Sequence, residues 1–502
     1  MRVRLMSAAE DFDAAAAEPW QAEDLVKDLQ LDYLWDAMAG GDSFLRQVAR
    51  AALLQPASDP DVIERRQAAY ADAVSHRDVV ASLYAIAVDA LNLRRGIFMM
   101  PVLNHPGIAL SQAVKLLTGL AGQLDLLRGL LAGAAGSFRS PAFHELCATV
   151  ADQLDDAYLA RLRGILRELS FPGGLLMSAG VGPGGEVVGQ VLRRPNDENR
   201  RLLDRTPMRR PYSSFTLPER DESGANALAE LRDRSVADVS RAASEAADHV
   251  LGFFACLRTE LGFLLACLNL DDALRRVGAP ICRPNPRATS MAATGLYDPC
   301  LALRTGRAPT GNDVDLSGGA LLVITGANGG GKSTLLRALG TAQLMLQAGL
   351  PAPATALAAP PVGRVFTHWA REEDTELVHG KLDEELERMA RIVDDIRLGD
   401  LLLCNESFSS TNEAEGSEIL LGVTRALVLA GVDVRSVTHL YDFARTVSDD
   451  PDLGARFLRA ERPDPGRRTF RLTPGPPSPT SFGLDLYDDL FGTQLAERDY
   501  PA

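Results

Sequence analysis

Ala320-Leu-Leu-Val-Ile-Thr325, Gly326-Ala-Asn-Gly-Gly-Gly-Lys332-Ser333-Thr334 and Leu335-Leu-Arg-Ala-Leu-Gly340 follow one another without a break. An apolar run, a glycine loop and a helix-forming run in this order spell a phosphate-binding P-loop. Glycines let the backbone N–H groups of Gly326, Ala327, Asn328, Gly329, Gly330 and Gly331 turn inward onto phosphate oxygens. The start of the following helix adds its partial positive charge. Lys332 is placed to reach the terminal phosphates, Ser333 to ligate Mg²⁺, and Thr334 to close the loop. The stretch therefore predicts a nucleoside triphosphate site with Mg²⁺, in a parallel α/β domain.

Downstream of the loop, Asp400-Leu-Leu-Leu-Cys-Asn405-Glu406 reads as an apolar strand ending in a Walker B pair. In such a pair the first side chain holds Mg²⁺ through water and the second polarises the attacking water. Here the first is the amide of Asn405, which accepts hydrogen bonds from metal-bound water but brings no charge. Weaker Mg²⁺ binding and slow hydrolysis follow as expectations. Glu406 keeps the general-base position. Ser407-Phe-Ser-Ser-Thr-Asn-Glu413 is either a loop reaching toward a nucleotide across a dimer interface or an ordinary helix N-cap. Val432-Asp-Val-Arg-Ser-Val-Thr438-His439 predicts a strand with a histidine at its C-terminal edge, the ligand side of a parallel sheet. His439 is thus a candidate sensor of the terminal phosphate. Leu316-Ser-Gly-Gly319 lies upstream of the P-loop and reads as a turn.

The first half of the chain carries helical periods. Phe143, Leu146, Val150, Leu154, Tyr158, Leu162, Ile165 and Leu169 recur at steps of three or four, the period of one helix face. A longer stripe runs from Leu228 through Val236, Ala243, Val250, Leu257 and Leu261 to Leu268 without a proline. Unbroken, segment 225–277 would form a helix of about 80 Å; the alternative is two helices parting near Gly252. Between these segments, 172–224 begins glycine-rich and then gathers Arg193, Arg194, Arg200, Arg201, Arg205, Arg209 and Arg210. Either these contact a nucleic-acid phosphate backbone or they pair with Asp197, Glu198 and Asp204 in a solvated loop.

Length and composition bound the rest. At 502 residues the chain has room for about three domains. Its net charge of −15 confines any nucleic-acid contact to a local basic patch. Six cysteines without C-x-x-C spacing argue against a zinc site or disulfide framework and point to a reducing cytoplasm. The apolar run 116–136 contains Asp125 and Arg128 and reads as a buried helix, so no membrane association is expected.

With these motifs in view, the chain resembles the MutS family of DNA mismatch-repair ATPases. Gly326 to Thr334, including Asn328, is similar to that family's P-loop. Asn312-Asp-Val-Asp-Leu316, Val365-Phe-Thr-His368 and Thr438-His439 resemble its flanking motifs, as do Phe470-Arg-Leu-Thr-Pro-Gly475 and Ser481-Phe-Gly483. Phe44 to Pro56, with Asp59 and Ile63-Glu-Arg-Arg-Gln67, resembles the start of the family's helical lever domain, and 253–274 its return arm. Members that read mismatches carry further N-terminal domains. Here the lever begins near residue 31, so the resemblance implies a short form without the mismatch-recognition and connector domains.

The fold expected is α + α/β. It comprises an extension (1–30), a helical lever (31–283) with a reduced clamp at about 172–224, a P-loop ATPase domain (284–490) and a tail (491–502). The resemblance implies a homodimer joined through the ATPase domain that uses ATP to change its grip on duplex or branched DNA. Catalysis is assigned to Lys332, Glu406 and His439, and Mg²⁺ to Ser333 and Asn405. No aromatic is evident for stacking the base near Pro309 and Thr310. Two other readings follow from the residues: a nucleotide-dependent switch with little hydrolysis, and a partner-binding regulator without mismatch recognition.

Overall fold

The structure, a computed structural model, describes residues 1–96, 105–172, 174–194, 216–218, 220–371, 380–461 and 469–477. The chain forms two compact units. One comprises Met1–Val3, Asp78–Phe138 and Phe143–Arg258; the other comprises Arg4–Arg77, Arg139–Ala142 and Thr259–Ala502.

The first unit is mainly helical. Helices Arg77–Gly96 and Pro106–Ala134 precede Pro141–Gln153 and Asp156–Leu169. The stripe expected to lie along one helix from 143 to 169 is split between the last two. Leu154 ends the first buried run, and Asp155 caps the second helix by accepting a hydrogen bond from Tyr158 N–H. This cap restarts the period in a new register. Leu159 and Leu166 become the buried positions, while Tyr158 and Ile165 face solvent. Leu166 packs with Leu110, Val114, Leu117, Val236 and Ala243.

The long stripe forms one uninterrupted helix, Glu222–Arg276, of 55 residues, and Gly252 does not break it. By length and composition alone this helix could cross a membrane, but most of its apolar window is buried within the protein.

A feature without a clear sequence expectation is the antiparallel hairpin of β1 (Met177–Val181) and β2 (Val187–Leu192), registered Met177↔Leu192 and Val181↔Val187. Its valines are exposed, Val181 to 81%. Of the basic stretch, Arg193 donates from Nε to Ser178 Oγ at 2.8 Å, and Arg194 pairs with Glu168. Arg200, Arg201, Arg205, Arg209 and Arg210 lie outside the described residues, as does Ser481-Phe-Gly483.

The second unit is built on a six-stranded sheet. Its strands are β5 (Leu321–Thr325), β7 (Val365–Trp369), β8 (Leu401–Asn405), β9 (Asp433–Val437), β10 (Arg456–Ala460) and β11 (Leu472–Pro474), in the order β11-β10-β5-β9-β8-β7. All pairings are parallel except β10 with β11. The near-continuous apolar runs of β5 and β8 suit strands covered on both faces, and every residue of β7 is buried as well. Helix Lys332–Ala348 is buried along almost its whole length. On the sheet, Phe366, Leu402, Val434, Leu420 and Phe443 form one core. A second sheet joins β3 (Ala292–Leu296), β4 (Asn312–Asp315) and β6 (Ala356–Ala358) in the order β4-β3-β6. The fold is thus α + α/β.

Residues 4–30, expected from the sequence as part of an N-terminal extension, fall in the second unit. Leu5, Met6, Leu25 and Leu29 are buried, and helix Ala22–Leu29 packs against β7 and helix Lys332–Ala348. The Glu260 carboxylate accepts hydrogen bonds from the amides of Leu5, Met6 and Phe12 at 2.5, 3.2 and 2.7 Å. The helices from Ala22 to Ser75 fall in the unit of the six-stranded sheet: Ala22–Leu29 packs on β7, and Ser43–Leu54 and Pro60–Ser75 pack on helix Lys332–Ala348.

Candidate nucleotide-binding site

The glycine loop leaves the C-terminal end of β5, and helix Lys332–Ala348 starts directly after it. Gly326 has φ +106°, and a Cβ there would meet the Ala460 amide nitrogen of β10 at 2.9 Å. Gly331 caps the helix with φ +95°. Both are left-handed conformations that side chains rarely adopt. Lys332 is buried, and its Nζ donates to Gly326 O at 2.7 Å, Ala327 O at 3.1 Å and Asn328 Oδ1 at 3.4 Å. Burial pushes this ammonium below its ordinary pKa, and Glu406 opposes the shift.

β8 and β9 lie side by side, with Asn405 opposite Val437. Their C-terminal ends therefore deliver Glu406 and His439 together. Glu406 Oε2 is 3.3 Å from His439 Nε2. The hydrogen bond from His439 holds the carboxyl below the usual range; burial opposes this and Lys332 adds to it. Glu406 itself sits at φ +57°, an unusual conformation for a non-glycine residue. Phe408 follows at φ +60° and is fully buried in the core on the sheet, which anchors the polar loop. Asn412 caps helix Glu413–Leu429, accepting from Glu415 N–H at 3.0 Å. Leu316-Ser-Gly-Gly319 forms a turn between β4 and β5.

A cavity of about 710 Å³ opens over the loop, and Asn328, Gly329, Gly331, Lys332, Ser333, Thr334, Glu406 and His439 line it. Elements more than a hundred residues apart thus meet at one site. Asn405 is not part of the cavity wall. It lies just behind Glu406, and its Oδ1 is buried without a hydrogen-bond partner. A buried acceptor left open in this way fits the water shell of a Mg²⁺ ion held by Ser333. The glycine cradle and Lys332 fit the phosphates of ATP.

Pro309 and Thr310 line the cavity at its far side, and they are joined there by an aromatic the sequence reading missed. Phe470, 48% exposed, is brought in by Asn312. The Asn312 amide donates to Phe470 O at 3.2 Å and accepts from Leu472 N–H at 2.7 Å, so β4 holds the start of β11 against the pocket. The signal was present in Asn312 and Phe470, but 158 residues separate them and no local pattern links the two.

Comparison with known proteins agrees with this geometry. The MutS2 N-terminal domain family matches residues 58–277, and MutS domain V matches residues 322–485. "Endonuclease MutS2" of Solidesulfovibrio magneticus is 28% identical over 143 residues, covering 28% of this chain and 18% of that protein. "DNA mismatch repair protein MutS 2" of Haloarcula marismortui is 30% identical over 168 residues, covering 33% and 18%. "MutS protein homolog 4" of Mus musculus is 25% identical over 258 residues, covering 50% and 25%. The matches thus span a quarter or less of these relatives' lengths. With two family domains matched in chain order and the P-loop, Glu406 and His439 gathered at one cavity, the chain belongs to the MutS family.

Proposed function

We propose that this protein is an ATP-dependent DNA-binding ATPase of the MutS type, acting in mismatch repair or related processing of DNA structures. The observation that carries this reading is the convergence of Lys332, Glu406 and His439 on the cavity over the glycine loop. ATP with Mg²⁺, when bound, supplies the phosphoanhydride and the charge that screens its phosphates. The loop amides and Lys332 orient the phosphates. Ser333 and the open Oδ1 of Asn405 receive the metal and its water shell. Glu406, held ionised by His439, accepts a proton from the attacking water.

The relatives' names point to DNA as the partner, and the basic stretch from Arg193 to Arg210 is the proposed phosphate contact. Dimerisation through the ATPase domain and a cytoplasmic location complete the proposal. The test is steady-state ATP hydrolysis without DNA and with homoduplex, mismatched and branched DNA. Stimulation by one class supports a DNA-coupled ATPase and names its substrate; rates indifferent to all DNA would overturn it.

A second reading, a nucleotide-dependent switch that barely hydrolyses ATP, is favoured by the uncharged Asn405. Tight ATP binding without turnover would select it.

A further inference from the structure

At the opposite end of the strands that carry the P-loop and His439 lies a second cavity, of about 270 Å³. Its wall includes Ala320 and Leu322 of the β5 end, Gln343, and Asp433 and Arg435 of β9. Arg435 pairs in register with Leu322 on one side and Leu403 on the other, so its backbone is in the middle of the sheet. Its side chain is only 3% exposed, and Nη1 has no hydrogen-bond partner. Asp433, on the same strand face, attracts it without closing an ion pair. Burial pushes the guanidinium down to about 10 and pushes the Asp433 carboxyl up. A buried cation without a bonded partner is costly to fold around, and an anion at its open nitrogen removes that cost.

The second polar group is Gln343. Its Nε2 donates to Gln347 Oε1 at 3.0 Å and to Pro360 O at 2.9 Å. Gln347 in turn donates to Ala57 O and Val362 O and accepts from Val362 N–H. Backbone carbonyls only accept, so this chain of bonds fixes both amides. Gln343 Oε1 is thereby left as an acceptor, buried and without a partner. Arg435 and Gln343 both line the cavity, and each carries one unpartnered polar atom, a cationic donor and a fixed acceptor.

We propose that this cavity binds a phosphate group that still carries a proton, its ionised oxygens on Arg435 and its O–H on Gln343 Oε1. Inorganic phosphate carries such a proton in both of its ions at neutral pH, whereas small phosphomonoesters, with a second pKa of about 6, carry it only in their minor monoanion. Sulfate has no proton to donate, and neither does the phosphodiester backbone of DNA. The site is thus separate from both nucleotide binding and DNA contact.

The test is thermal unfolding of the full chain carrying Lys332→Ala, which removes the cation of the nucleotide site. It is titrated with inorganic phosphate, glycerol phosphate or sulfate at constant ionic strength. A saturable rise in Tm with inorganic phosphate, and a binding constant about tenfold or more weaker for sulfate, is expected from the lost hydrogen bond. A rise with glycerol phosphate that strengthens as the pH falls toward about 6 would identify monoesters as ligands; its absence would restrict the site to inorganic phosphate. Adding Arg435→Met should abolish the phosphate response. Should that chain not fold, Arg435→Lys keeps the charge but loses the planar fork, and should weaken the response. No response in Lys332→Ala, an equal response to sulfate, or a response unchanged by the Arg435 substitutions would overturn the proposal.

Discussion

Glu406 Oε2 and His439 Nε2 stand 3.3 Å apart at the ends of two neighbouring parallel strands. This contact ties the ionisation of the proposed base to a residue one strand away. His439→Ala should therefore raise the Glu406 pKa toward its ordinary value. Glu406 is active when ionised, so the acidic limb of the pH–rate profile should move to higher pH. The check is kcat/KM for ATP between pH 4 and 8 in both proteins; an unmoved acidic limb would show that the histidine does not tune the carboxylate.

Glu406→Gln preserves shape and hydrogen bonding but cannot take a proton. Hydrolysis should fall by about a hundredfold or more, the usual contribution of a positioned general base. Nucleotide affinity should stay within about twofold, since the glycine loop and Lys332 do the holding. Single-turnover hydrolysis beside equilibrium binding of a fluorescent nucleotide separates the two effects.

Asn405→Asp places a charge where an unpartnered buried oxygen now sits. The Mg²⁺ concentration for half-maximal ATPase activity should drop by about tenfold to a hundredfold, the range found for groups that orient a metal's ligands. Turnover should rise with it. An unchanged Mg²⁺ dependence would place the limit on hydrolysis elsewhere.

His368 is fully buried between Ser407 Oγ at 2.7 Å and Glu385 O at 3.0 Å. Burial, with the Arg388 guanidinium nearby, pushes its pKa down to about 4. The folded protein thus binds this proton less readily than the unfolded chain. Its contribution is fully present above pH 6.5 and is lost as pH falls toward 4. The loss should reach on the order of 3 kcal/mol. Urea unfolding of wild type and His368→Asn at pH 7.5, 5.5 and 4.5 measures it, and the two curves should converge as the pH falls.

The P-loop, both strand ends and the long helix were legible because each is a local pattern. The glycines, Lys332 and Ser333 sit within nine residues, and the stripe of 222–276 repeats without interruption. What escaped depends on meetings across the chain. Asp155 splits a seemingly continuous stripe because one capping side chain outweighs the periodicity around it. Phe470 reaches the cavity over the glycine loop only through Asn312. Helix Ala22–Leu29 looks like an appendage until β7 and helix Lys332–Ala348 are present to cover it. Arg435 reads as an ordinary strand residue, and its burial is visible only once β5 and β8 flank it.

The grip of Glu260 on Leu5, Met6 and Phe12 sets an order of events during synthesis. The sheet-based unit draws on residues 4–77 and on everything after Thr259, whereas 78–258 lie almost wholly in the other unit. As the ribosome delivers the chain, the helical segment can collapse first, being nearly continuous. The first dozen residues must wait, with Leu5 and Met6 uncovered, until residue 260 has emerged. Over that interval the segment around Leu5 and Met6 lacks the carboxylate that fixes its amides, and the length of the interval is set by translation speed across the intervening 250 or so codons.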